Sequence, residues 1–146
     1  MEANELMIGD WVFRLSRKSP DCAQIRTDGF ITRITEQGAE LCYLDRWQNR
    51  CYMNAGFGEL HPRPITAEIL EKNGFTKTAV SPLVSSRANY VYETSEETVY
   101  MSENGIMWWI EMELADYAGK IEMPIEYVHV LQHALRLFGI KKQIEL

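Results

Sequence analysis

The chain has 146 residues, 46% of them hydrophobic and 25% charged, with a net charge of -6. That length buries roughly two thirds of the unfolded surface, enough for a core without disulfide or metal staples. The composition excludes disorder and fibre, and the absence of any run near eighteen apolar residues argues against a membrane span. The first twenty residues include Glu2, Glu5 and Asp10 and lack the apolar core of a signal peptide, so the expected location is cytoplasmic. Residues 1–64 hold eight Lys/Arg and nine Asp/Glu, residues 65–146 seven and twelve, so the acidic excess belongs to the second half. An acidic chain disfavours general nucleic-acid binding, which needs cations against phosphate, while leaving room for a local patch in the first half.

Gly9-Asp10 is a turn signal, and Trp11 to Leu15 after it is rich in strand formers. Ser16 to Asp28 is polar and reads as a loop. Phe30 to Thr35 forms a second strand, Ala39 to Leu44 a third, Cys51 to Met53 a fourth and Glu59 to His61 a fifth. Five short strands in about 55 residues predict a closed SH3-like small β-barrel over residues 1–64, because closure removes exposed sheet edges.

Pro62 to Phe75 reads as a short helix punctuated at both ends. Thr66 stands at the N-cap, with Ile65 and Leu70 spaced as a hydrophobic staple. Asn73 and Gly74 stop the helix, and Phe75 is placed to touch Leu70. A helix of about two turns over 66–73 cannot stand alone and must be held by packing, so it reads as a joint between two β-rich halves.

Residues 65–146 are expected to be an α+β half. Ser81 to Ala88 is a loop and Asn89 to Tyr92 a strand. Asn104-Gly105 favours a two-residue type I′ turn in a hairpin over 98–114, setting Met101 opposite Trp108, Val99 opposite Ile110 and Tyr100 opposite Trp109. A final helix over 126–138 carries Val128, Leu131, Leu135 and Phe138 on one apolar face, expected to cover the second sheet, with His129, Gln132, His133 and Arg136 on a solvated face. Gly139 ends it, and the tail from Lys141 to Leu146 frays or pairs as an edge. The fold class is therefore mostly β within α+β.

The chemistry-bearing motifs are sparse. His129 and His133 have the i, i+4 spacing of a helical metal site, but Val130 stands where a zincin has its Glu, and His61 lies far off. Gly56-x-Gly58 lacks the third glycine and the helix of a phosphate loop. Cys22, Cys42 and Cys51 cannot all pair and make no Cys-x-x-Cys; Cys42 reads as a buried small hydrophobe. Cys51 with His61 has no context for an activated thiol. No catalytic residue, metal or cofactor is expected.

Arg46, Trp47 and Arg50 instead share one turn between two predicted strands, and Trp and Arg dominate binding hot spots. An exposed Trp47 would be a contact for a protein partner or for single-stranded nucleic acid; a Trp47 folded over the barrel end would be a core plug. Tyr100 and Trp109 mark a second candidate, an aromatic stripe covered either by packing between the halves or by a homodimer partner.

Three segments carry a resemblance: Glu-Leu-Met-Ile-Gly-Asp-Trp-Val near the start, Pro-Arg-Pro-Ile-Thr-Ala-Glu-Ile-Leu-Glu-Lys-Asn-Gly-Phe in the middle, and Tyr-Val-His-Val-Leu-Gln-His-Ala-Leu-Arg-Leu near the end. Together they resemble a family of small uncharacterised proteins of Bacteroides-type gut bacteria, often found in prophage or mobile-element regions. The resemblance implies an intracellular bacterial protein and brings no activity or site residue. The expected function is a non-enzymatic binding or adaptor protein with a protein partner; the alternative is a nucleic-acid-associated accessory protein of a mobile element.

Overall fold

Apolar and polar residues alternate along most of the chain, and the secondary structure follows that alternation. The computed structural model describes residues 1, 5–16, 24–78, 88–94, 98–103, 107–113 and 120–146. Cys22, the Ser81 to Arg87 part of the expected loop and the Asn104-Gly105 turn lie outside the described residues. The chain divides into two units, Met1–Arg63 with Tyr127–Ile140, and Pro64–Glu126 with Lys141–Leu146. Among the described residues no helix is long and apolar enough to cross a membrane.

In the first unit, β1 (Trp11–Ser16), β2 (Ile25–Ile34), β3 (Gly38–Leu44), β4 (Arg50–Gly56) and β5 (Leu60–Pro62) form one antiparallel sheet in the order β4-β3-β2-β1-β5. A single 3-10 turn, Phe57–Glu59, leads from β4 into β5. The described pairings form an open ladder with β4 and β5 at its ends, where the sequence leads one to expect a closed barrel. β2 is longer than expected, and its pairing with β3 shifts between Ile31 and Arg33. The extra residue is Thr32, whose hydroxyl lies 2.8 Å from Glu40 Oε1, and such a bulge bends the strand.

One face of this sheet carries the buried cluster Val12, Ile31, Ala39, Leu41, Ala55 and Leu60, with Leu6 added from the preceding turn. Gly38 is required by backbone proximity, since a Cβ there would lie 2.1 Å from the Ala55 carbonyl oxygen. α2 (Val128–Leu137) belongs to this unit, its first turn fixed by Val128 N–H donating to the Arg63 carbonyl at 2.8 Å. Gly139, at φ +79°, closes it, and Ile140 N–H returns to the Leu135 carbonyl at 2.9 Å. The last helix, expected with the second half, thus groups with the first.

In the second unit, α1 (Ala67–Lys72) starts at Thr66, whose hydroxyl accepts from Ile69 N–H at 3.3 Å. It ends through Gly74 at φ +82°, with Phe75 N–H donating to the Leu70 carbonyl at 3.0 Å. β6 (Thr76–Thr78), β7 (Ala88–Glu93), β8 (Thr98–Glu103), β9 (Trp108–Glu113) and β10 (Lys120–Ile125) follow as an antiparallel meander in the order β10-β9-β8-β7-β6. Val99, Met101, Trp108 and Ile110 are buried together on one face, as the alternation predicts.

The register differs from the expected one. Glu103 faces Trp108 and Met101 faces Ile110, leaving four residues rather than two between the paired ends. A slip of two keeps every side chain on its predicted face, whereas a slip of one would have inverted the set. The tail does not fray at its end: Glu145 N–H donates to Asn73 Oδ1 at 2.8 Å, and Asn73 Nδ2 donates back to the Glu145 carbonyl at 2.7 Å.

Candidate functional site

The turn between β3 and β4 is built by one carboxylate. Asp45 Oδ1 accepts the backbone N–H of Trp47 at 2.8 Å and of Asn49 at 2.9 Å, and Oδ2 accepts from Asn49 Nδ2 at 3.2 Å. These bonds, the Asn49 backbone N–H foremost, hold the Asp45 carboxyl below the usual carboxylate range. Gln48 takes the left-handed conformation at φ +66°, which costs an L residue about 1 kcal/mol, so the turn must be over-determined by its hydrogen bonds. Asp45 N–H to the Asn49 carbonyl at 3.0 Å and Gln48 N–H to the Asp45 carbonyl at 3.0 Å complete it.

This frame presents Trp47 outward. The indole is 67% exposed, and the Arg46 guanidinium carbon stands 3.8 Å from its ring centroid. Trp47 therefore does not fold over the sheet end as a core plug. Arg50 is exposed at the first position of β4, opposite Leu44. Two neighbours escaped the sequence reading: Leu44 at 56% and Tyr52 at 60% exposure. The position of β4 at the end of the ladder exposes Tyr52, and strand order is not legible from local periodicity.

Tyr100 and Trp109 belong to the second unit. Both are half-buried and share a sheet face, Tyr100 opposite Glu111 and Trp109 opposite Ser102. Cys51 alternates with Ala55 on the core-facing side of β4, whereas His61, next to the buried Leu60, stands on the other face of β5 and stacks on Phe13 at 5.3 Å between ring centroids. Cys42 is buried. Gly56 precedes a single 3-10 turn, and its N–H is taken by Glu59 Oε2 at 3.1 Å.

The polar side of α2 requires a correction. His129 and Gln132, expected in solvent, are 6% and 1% exposed. Gln132 clamps one turn of backbone: its Nε2 donates to the Gly9 carbonyl at 3.2 Å, and its Oε1 accepts from Trp11 N–H at 3.3 Å. Asp10, fully buried, accepts Met7 N–H at 2.7 Å and faces His133 Nε2 at 2.9 and 3.0 Å, with Arg136 at 3.7 Å. Burial pushes the His129 imidazole pKa down, and the neighbouring His133 pushes the same way, while Asp10 and Glu5 oppose it. Among the described residues its Nδ1 has no hydrogen-bond partner. The missed residue is Asp10, whose side-chain partner His133 lies 123 positions downstream.

In the first unit a cleft of about 390 Å³ is lined by Met1, Glu5, Pro62, Tyr127, His129, Val130 and His133. Among the described residues, no three His, Cys, Asp or Glu side chains gather as a metal ion would need. A shallower groove of about 790 Å³ runs beside Thr35–Gly38 and Asn54–Gly56; its one cation, Arg33, is paired with Glu40 at 3.2 Å.

Charge is divided between the units more sharply than between the sequence halves. The first unit holds nine Lys/Arg and nine Asp/Glu, net zero, and the second six and twelve, which carries the whole -6. No protein-family model, no curated protein and no solved structure shows significant similarity to the chain.

Proposed function

We propose that this is a non-enzymatic binding or adaptor protein whose contact surface is the β3–β4 turn. The observation that carries the reading is a large indole held in water by a turn that its own hydrogen bonds make rigid. Leaving Trp47 exposed forfeits the roughly 1.5–3 kcal/mol that burying a large apolar side chain contributes, and a pre-ordered aromatic anchor loses little entropy on binding. The strand order, with β5 on β1 and a 3-10 turn before β5, supports reading the first unit as an SH3-like small barrel.

The resemblance in the three quoted segments makes a lysate of a Bacteroides-type host the place to look for a partner. The test compares the wild type with Trp47→Ala and with Arg46→Ala as baits in a lysate of such a host. Species retained by the wild type and lost from both variants, with unchanged circular dichroism, support the turn as the contact. The same species retained by all three would remove it.

A further inference from the structure

We propose that the β3–β4 turn binds single-stranded nucleic acid, with Trp47 as the stacking platform and Arg46 and Arg50 on the phosphates. This deepens the binding reading above and rests on it. In the first unit Arg14 pairs with Glu59 at 2.9 Å, Arg26 and Arg63 with Asp28 at 3.1 Å each, Arg33 with Glu40 at 3.2 Å, and Arg136 with Asp10 at 3.7 Å. Among the described residues of that unit, Arg46 and Arg50 alone have no carboxylate partner. Asp45, adjacent to Arg46 in the chain, is occupied by three donors of its own turn. The two unneutralised cations therefore flank the most exposed aromatic ring of the unit.

The ring is used in a particular way. Arg46 covers the indole at 3.8 Å, joining a cationic plane to an aromatic one and leaving the rest of a 67% exposed ring to a planar ligand. Tyr52, two residues beyond Arg50 on β4 and so on the same sheet face, offers a second ring at 60% exposure. An acidic peptide would satisfy the arginines and leave both rings idle; a strand of nucleotides engages both, since each base has a stacking face and each linkage a phosphate. Unpaired bases are required, because a duplex hides its faces in the stack. The acidity of the whole chain is no obstacle, since the excess charge resides in the second unit and the first is neutral.

The test is fluorescence anisotropy of a labelled dT12 and a labelled rU12, titrated with the full chain from 50 to 300 mM salt. Two neutralised phosphates predict that log K falls with log salt at a slope of about -1.4. Arg46→Gln and Arg50→Gln each reduce that slope by about 0.7. Trp47→Ala weakens binding by about tenfold or more, and Trp47→Phe restores part of it. Absence of oligonucleotide binding at low salt, indifference to Trp47→Ala, or equal displacement by poly-glutamate at matched charge overturns the proposal. Should oligonucleotides fail while lysate proteins still depend on Trp47, the partner class falls and the binding surface stands.

Discussion

Replacing Asp10 with alanine should be the most damaging single change of a charged residue in the first unit. The carboxylate is fully buried, so its partners lose it without easy replacement by water. Its bond from Met7 N–H at 2.7 Å is charge-assisted, a class worth roughly 1.5–3 kcal/mol. His133 and Arg136 have side chains 29% and 36% exposed and recover solvent contacts on losing Asp10, so together they add about 1 kcal/mol. The expected loss is thus about 2.5–4 kcal/mol, or roughly 10 °C in Tm for a chain of this size. Asp10→Asn keeps one acceptor for Met7 N–H and lets His133 reverse its tautomer, so it should recover at least half of that loss. Urea titration followed by tryptophan fluorescence measures both variants against the wild type. An alanine variant within about 0.5 kcal/mol of the wild type would refute the claim that Asp10 anchors the turn to α2.

Three further outcomes are expected. Gly38→Ala sets a methyl group against backbone, 2.1 Å from the Ala55 oxygen, so β3 and β4 must part; a loss of about 2–4 kcal/mol is expected by the same titration, and a neutral result would show that the strand ends yield freely. His129 has a lowered pKa in the folded chain, so the unfolded chain binds its proton first: the stability it secures is complete above about pH 6.5 and falls, by at most about 1.4 kcal/mol per unit, as pH drops toward the folded value. Melting curves from pH 7.5 to 5 should therefore separate wild type from His129→Gln, and parallel curves would sink the assignment. Thr66→Ala removes the cap that receives Ile69 N–H and should cost about 1 kcal/mol in chemical denaturation; an unchanged midpoint would mean that packing alone sets the start of α1.

Local chemistry was readable wherever a few neighbouring residues decide the outcome. Thr66, Gly74 and Gly139 act through bonds to residues five or fewer positions away, and the helix ends follow. The burial of Val99, Met101, Trp108 and Ile110 follows from alternation, which survives a register slip of two. What the sequence does not reveal is which polar groups find each other across the chain. The polar side of α2 looks solvated because amphipathicity orders residues around an axis and is silent on whether the polar side has partners; Gln132 and His133 find theirs at Gly9, Asp10 and Trp11. At the proposed contact, residue types alone marked Arg46, Trp47 and Arg50, while the exposure of Trp47 depends on Asp45 and that of Tyr52 on the order of strands.

The Gln132 clamp has a consequence for biosynthesis. It ties residues 9 and 11 to residue 132, so a ribosome must deliver the intervening 64–126 segment before the N-terminal sheet can acquire its closing helix. Such long-range closure is slow to form. A nascent chain halted after Arg63 would keep the Met7 and Ile31 bonds to this turn but lack Gln132 at the Gly9 carbonyl and Trp11 N–H and His133 at the Asp10 carboxylate, a state in which chaperones or proteases can act.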